Sequence, residues 1–134
     1  MAYSYSAIKE FKNCPRKYYE TRILKKWQQE ETDAMRYGTD VHEALELHIK
    51  EGKPLGPHSR FQEIANALSK LNGEKLTELE MGLDESLNPC EFLGEHTFIR
   101  GIADLVIIDW DKKTASVFDY KTGSASTLIL INLS

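Results

Sequence analysis

Two apolar runs, residues 101–109 and 116–123, are separated by one short polar break, and that spacing commits this part of the chain to a β-hairpin. Val, Ile and Phe dominate both runs, as strands require. The break is Asp111-Lys112-Lys113. A loop centred between Asp111 and Lys112 pairs residues whose numbers sum to a constant, and this sets Asp104 opposite Asp119. Side chains opposed in this way sit roughly 4.5–5.5 Å apart at Cβ. Alternation along the second strand puts Lys121 on the face of Asp119. Two carboxylates that close repel each other unless something compensates. A divalent cation does so, because hard cations take oxygen ligands. A lysine beside it can position a water or steady a developing negative charge. A single aspartate here would be read as an ordinary solvated side chain; the trio carries the reading.

The string GIADLVIID … VFDYKTG resembles the G-x-x-D … (V/I)-x-D-Y-K-T-G signature of the PD-(D/E)XK nuclease superfamily, in particular its RecB-like exonuclease branch. Two other segments are similar to that branch. YGTDVHEALE, residues 37–46, resembles its G-x-x-x-H helix, with Gly38 and His42 in place. The resemblance implies that His42 helps to bind the metal. Ala44, Leu45, Leu47 and Ile49 supply the apolar points of a helix over 38–50, with Thr39 or Asp40 as its cap. His42 and Glu46, four apart, share one face. An imidazole suits Mn²⁺ better than Mg²⁺, so a mixed His/carboxylate site would tolerate manganese.

The N-terminal segment SYSAIKEFKNCPRKYYETRIL is similar to the opening of RecB-like nucleases, with Ser4, Ser6, Ile8, Phe11, Cys14, Pro15, Arg16, Lys17 and Tyr18 at the matching positions. It reads as basic helices over 4–26. Ser6 is placed to cap the first, and Pro15 opens the second. In some relatives this cysteine is one of four that hold an iron–sulfur cluster. With Cys14 and Cys90 alone the chain lacks four thiolates, so a cluster is not expected and Cys14 is read as a small buried residue. Relatives also carry a glutamate on the first strand, near the metal. Glu80 in KLTELEMG fits, but Glu78 lies on the same face, and alternation does not choose between them.

The net charge of −4 is unevenly spread. Residues 1–26 hold seven basic and two acidic side chains, a balance of +5 that leaves −9 for the remainder. Lys9, Lys12, Arg16, Lys17 and Tyr18 are the candidate nucleic-acid contacts, because cations interleaved with aromatics grip phosphates and stack on unpaired bases. The same pattern also fits a solvated helix face with its aromatics packed behind it. At 134 residues, with 41% hydrophobic and 28% charged, the chain is expected to form a single intracellular domain, 1–134. No apolar run approaches membrane-spanning length, and no secretory signal precedes the first helix. The cytoplasm, or a host cytoplasm for a viral source, is the expected location.

Phe61, Ile64, Ala65, Leu68 and Leu71 predict a helix over 59–71, ended by Asn72-Gly73. A strand is expected near Phe92 or His96, and His48, His58 and His96 are read as surface residues. The fold class is α/β: a restriction-endonuclease-like core, with a mixed, antiparallel-rich sheet over 75–121 flanked by helices. The apolar tail 124–134 reads as a strand, where the family continues into a helix bearing Q-x-x-x-Y. The expectation is a form truncated at its C-terminus, with a minimal version of the fold, or a subunit completed by another chain or a second copy, as the alternatives.

These readings imply a deoxyribonuclease, of exonuclease type, that uses Mg²⁺ or Mn²⁺ and leaves 5′-phosphate ends. Asp104, Asp119 and Lys121 would be catalytic. His42, Asp104, Asp119, the Tyr120 backbone carbonyl and Glu80 would hold the ion. The alternative is a catalytically inactive nuclease-fold module that binds DNA or another protein.

Overall fold

The computed structural model describes residues 2–28, 30–123 and 127–133, the last seven as backbone only. Helices α1 (Tyr5–Asn13) and α2 (Pro15–Tyr18) come first, then one wide helical turn, Tyr19–Ile23. Helix α3 (Asp33–Glu51) follows. A 3-10 segment, Gly56–Phe61, leads into α4 (Gln62–Lys70). The strands are β1 (Glu74–Leu83), β2 (Pro89–Cys90), β3 (Ile99–Asp109), β4 (Thr114–Lys121) and β5 (Thr127–Leu133). They form one sheet in the order β2-β1-β3-β4-β5. The β1/β2, β3/β4 and β4/β5 pairs are antiparallel, and an isolated parallel bridge joins Tyr3 to Ile99. This is the α/β class with an antiparallel-rich sheet and helices, consistent with a restriction-endonuclease-like fold. Among the described residues no helix is long and apolar enough to cross a membrane.

The chain divides into two compact units, residues 1–31 with 80–102 and residues 32–79 with 103–134. In the second, α3 and α4 bury one face each against β3 and β4. Val41 and Leu45 from α3 meet Phe61, Ala65 and Leu68, and these pack on Leu105, Ile107, Phe118 and Tyr120. The strand residues are alternate positions, as a sheet with one buried face requires. Gly73 carries the chain from α4 into β1 with φ +131°, and a Cβ there would stand 2.6 Å from the Ile108 carbonyl oxygen. Leu105 is fully buried, so Leu105→Ala should cost about 2–5 kcal/mol of stability. Urea unfolding followed by circular dichroism measures it.

The hairpin forms in the expected register. Leu105 pairs with Phe118 and Asp109 with Thr114, the same constant sum that sets Asp104 beside Asp119. Asp109 Oδ1 accepts from the Asp111 and Lys112 N–H groups, both at 3.1 Å, and Lys113 closes the loop at φ +54°. β5 lies antiparallel on β4, as the apolar tail foretold; residues 124–126 and 134 of that tail lie outside the described residues.

Several local expectations are corrected. α1 is capped by Ser4, not Ser6: Ser4 Oγ accepts from the Ala7 N–H at 3.3 Å. α3 begins five residues early, at Asp33, because Thr32 Oγ1 takes the Met35 N–H at 3.2 Å; Thr39 and Asp40 lie inside the helix. Cys14 is exposed. β3 begins at Ile99, after a loop in which the buried Thr97 hydroxyl donates to the Glu91 carbonyl and accepts from the Gly94 N–H. His58 is half-buried, with its ring edge-on to Tyr37 at 5.6 Å.

Candidate metal centre

Helix α3 supplies the first component. Val41 and Leu45 turn into the core, which leaves His42 and Glu46 together on the adjoining face. Gly38 lets the helix approach the end of β4: a Cβ there would stand 3.2 Å from Thr122 Oγ1. His42 thereby reaches the hairpin. Its Nδ1 lies 3.3 Å from Asp104 Oδ1 and its Nε2 lies 3.0 Å from the Tyr120 carbonyl oxygen.

Asp104 sits one residue beyond the last paired position of β3. The Tyr120 N–H donates to Asp104 Oδ2 at 2.7 Å, so a side-chain oxygen stands where a strand carbonyl would accept. Its side chain is only 11% exposed. Asp119 lies beside Asp104 across the hairpin and binds Lys121 Nζ at 2.7 Å. The hairpin thus brings together two polar pairs, Lys121 with Asp119 and Asp104 with His42.

β1 adds the third component. Glu78 has φ +49°, a left-handed conformation that side chains other than Gly, Asn and Asp rarely adopt. Glu78 lies beside His42 and Asp104. One ligand atom from each of His42, Glu78 and Asp104 lies within 4.8 Å of the others. Glu80, two residues on, is exposed like Glu78 and is not in this group. Alternation left Glu78 and Glu80 equivalent, and no signal in the sequence marked the left-handed conformation at Glu78. Glu46, which helix spacing puts on the face of His42, accepts from Thr77 Oγ1 at 3.3 Å, pairs with Lys50, and adds its charge to the field at Glu78.

The electrostatics follow from this packing. The Asp104 hydrogen bond raises the His42 pKa above the usual imidazole range; burial opposes this, and the Asp104 charge and Tyr120 carbonyl add to it. Burial pushes the Asp104 carboxyl up, but the His42 bond, the Tyr120 amide and the His42 charge outweigh it and hold it below the usual range. Glu78 is raised by burial, then by the charges of Asp104 and Glu46. The Tyr120 phenol is raised by burial and by the same carboxylates. Such oppositely perturbed neighbours mark functional sites more often than chance.

Two carboxylates and an imidazole at this spacing match the donors of a Mg²⁺- or Mn²⁺-type ion. The raised Glu78 pKa comes first from partial burial and then from the neighbouring Asp104 and Glu46 charges, the part that a bound cation would relieve. The Tyr120 carbonyl is engaged by His42. Of the proposed nucleic-acid contacts, Lys9, Lys12, Arg16 and Lys17 are exposed, with Arg16 paired to Glu20 at 3.1 Å. Tyr18 is half-buried, edge-on to Phe11 at 5.5 Å.

A family model, the PD-(D/E)XK nuclease superfamily, matches residues 2–75, more than half of the chain. The match spans the basic helices and the Gly38–His42 turn of α3; the Asp104–Lys121 hairpin lies beyond it. No curated protein and no solved structure matches. A nuclease-type function and dependence on a divalent metal follow at the level of the superfamily, and the chain belongs to the PD-(D/E)XK nuclease superfamily.

Proposed function

We propose that the chain is a divalent-metal-dependent deoxyribonuclease of the RecB-like exonuclease branch, acting in the cytoplasm on DNA ends. The observation that carries the reading is the convergence of His42, Glu78 and Asp104 within 4.8 Å, joined to Asp119 and Lys121 through the hairpin. His42, Glu78 and Asp104 would hold the ion, with Asp119 beside them. When bound, the ion supplies charge neutralisation at a phosphodiester and a lowered pKa for a bound water.

The chain's own residues do the rest. Lys121, held by Asp119, presents an ammonium that can orient a water or stabilise charge on the phosphate oxygens. Asp104 fixes the His42 ring and the Tyr120 amide at once. One ring nitrogen of His42 would face the ion when it is bound, and the other would keep its oxygen partner, Asp104 or the Tyr120 carbonyl.

Digestion of linear DNA with Mg²⁺ or Mn²⁺ tests the reading. Cleavage should stop with EDTA, and Lys121→Ala should lower it about 10²-fold. Full activity in Lys121→Ala would refute the role given to that residue. DNA binding without cleavage under either metal would assign the inactive binding module instead.

A further inference from the structure

The unit formed by residues 1–31 and 80–102 holds a groove of about 690 Å³, and none of its lining residues belongs to the metal centre. We propose that this groove binds an unpaired nucleic-acid strand, with Trp27 stacking on a base and Lys25 and Arg100 holding the flanking phosphates. The inference rests on nucleic acid being the substrate and names the form in which it is taken.

The groove is built by a chain reversal. After the wide turn, Leu24 N–H bonds to the Tyr19 carbonyl and Lys26 N–H to the Glu20 carbonyl, both at 2.9 Å. Lys25 between them has φ +51°, which turns the chain back so that Trp27 and Gln28 line the groove beside Ser4 and Ala7 of α1. The opposite end is pinned by a backbone clamp. Tyr3 N–H donates to the Phe98 carbonyl at 2.8 Å and Arg100 N–H to the Tyr3 carbonyl at 2.9 Å. The Arg100 guanidinium rests over the Phe92 ring at 5.3 Å, which orders it.

Charge selects the occupant. Glu10 is the acidic residue in the lining, and its carboxyl is held below the usual range by the Arg22 hydrogen bond, against the effect of burial. Arg22 and Glu10 therefore cancel, and Lys25 and Arg100 leave the groove with two positive charges. Trp27 remains 61% exposed. An exposed indole in a groove that also carries two uncancelled cations fits a strand whose bases are unstacked, because a duplex keeps its base faces inside its own stack. The volume lies within the roughly 300–1,000 Å³ that accommodates a small-molecule-sized ligand, enough for a nucleotide or two rather than the breadth of a duplex.

The test is a fluorescence titration of the full chain with short oligodeoxythymidine in EDTA, so that cleavage is silent. Trp110→Phe makes Trp27 the sole tryptophan reporter. Binding should quench Trp27, and Trp27→Ala should weaken single-strand affinity about ten-fold. Trp27→Phe should keep most of the affinity, since it preserves a stacking face. Arg100→Ala and Lys25→Glu should each flatten the salt dependence by about 0.7 in log–log slope or more. Unchanged fluorescence at saturating oligonucleotide, or unchanged affinity in Trp27→Ala, overturns the proposal, as does duplex bound as tightly through the same residues. A chain that digests DNA while Trp27→Ala binds normally sinks the groove and leaves the nuclease standing. One that binds through Trp27 without cleaving does the reverse.

Discussion

Asp104→Asn should abolish cleavage, by about 10³-fold or more, while the chain stays folded. The magnitude follows from losing several kcal/mol of charge stabilisation at the ion, each 1.36 kcal/mol being about ten-fold in rate. The substitution also breaks an arrangement that only a carboxylate satisfies. Asp104 offers one oxygen to His42 and the other to the Tyr120 N–H. An amide has a single oxygen and would turn an N–H₂ group against one of these partners. If the Tyr120 amide loses its acceptor, the folded state is expected to weaken by about 1–3 kcal/mol. A second readout separates the site from mere loss of fold: the His42 pKa, followed by NMR, should fall, because the Asp104 bond is the largest cause of its elevation. Cleavage near the wild-type rate in a variant whose His42 titration has moved would remove Asp104 from the chemistry.

The parts of this site that were legible in the sequence are those fixed by local rules. A short polar break between two β-branched runs has few ways to close, so counting from Asp111 and Lys112 located Asp104 against Asp119 with the observed register. The i, i+4 relation of His42 and Glu46 is likewise a property of any helix. What stayed hidden depends on tertiary choices. Glu78 and Glu80 are equivalent until a residue adopts φ +49°, and no side chain in KLTELEMG announces that strain. Capping failed for a similar reason. Ser4 and Ser6, or Thr32 and Thr39, are equally good acceptors for a helix-end N–H, and residue type does not choose between them; the structure uses Ser4 and Thr32. Cys14 was assigned to the interior from its residue type, yet the break between α1 and α2 leaves it exposed at the turn. The division into two units is invisible to composition, because β1 and β3 run through the boundary without any change in character.

Metal affinity should fall steeply with acid, and the three ligand groups determine how. The raised His42 pKa means that its protonated form persists to higher pH than in a free imidazole. A proton on either ring nitrogen that must face the ion competes with it, so below this pKa each unit of pH should cost about ten-fold in apparent affinity. Glu78, raised above the usual carboxylate range by burial and by Asp104 and Glu46, adds a second protonation at lower pH. Asp104 works in the other direction: its lowered pKa keeps it ionised through the whole interval. From pH 7.5 to 5.5 the expected loss in Mn²⁺ affinity by calorimetry is therefore between about 10- and 100-fold, steepening towards pH 5. His42→Asn should bind more weakly at pH 7.5 and show a flatter curve down to the Glu78 limb, because the group that titrates there is gone. An affinity for Mn²⁺ that holds constant from pH 7.5 to 5.5 would remove His42 from the coordination shell, and leave its bonds to Asp104 and Tyr120 as a structural pin between α3 and the hairpin.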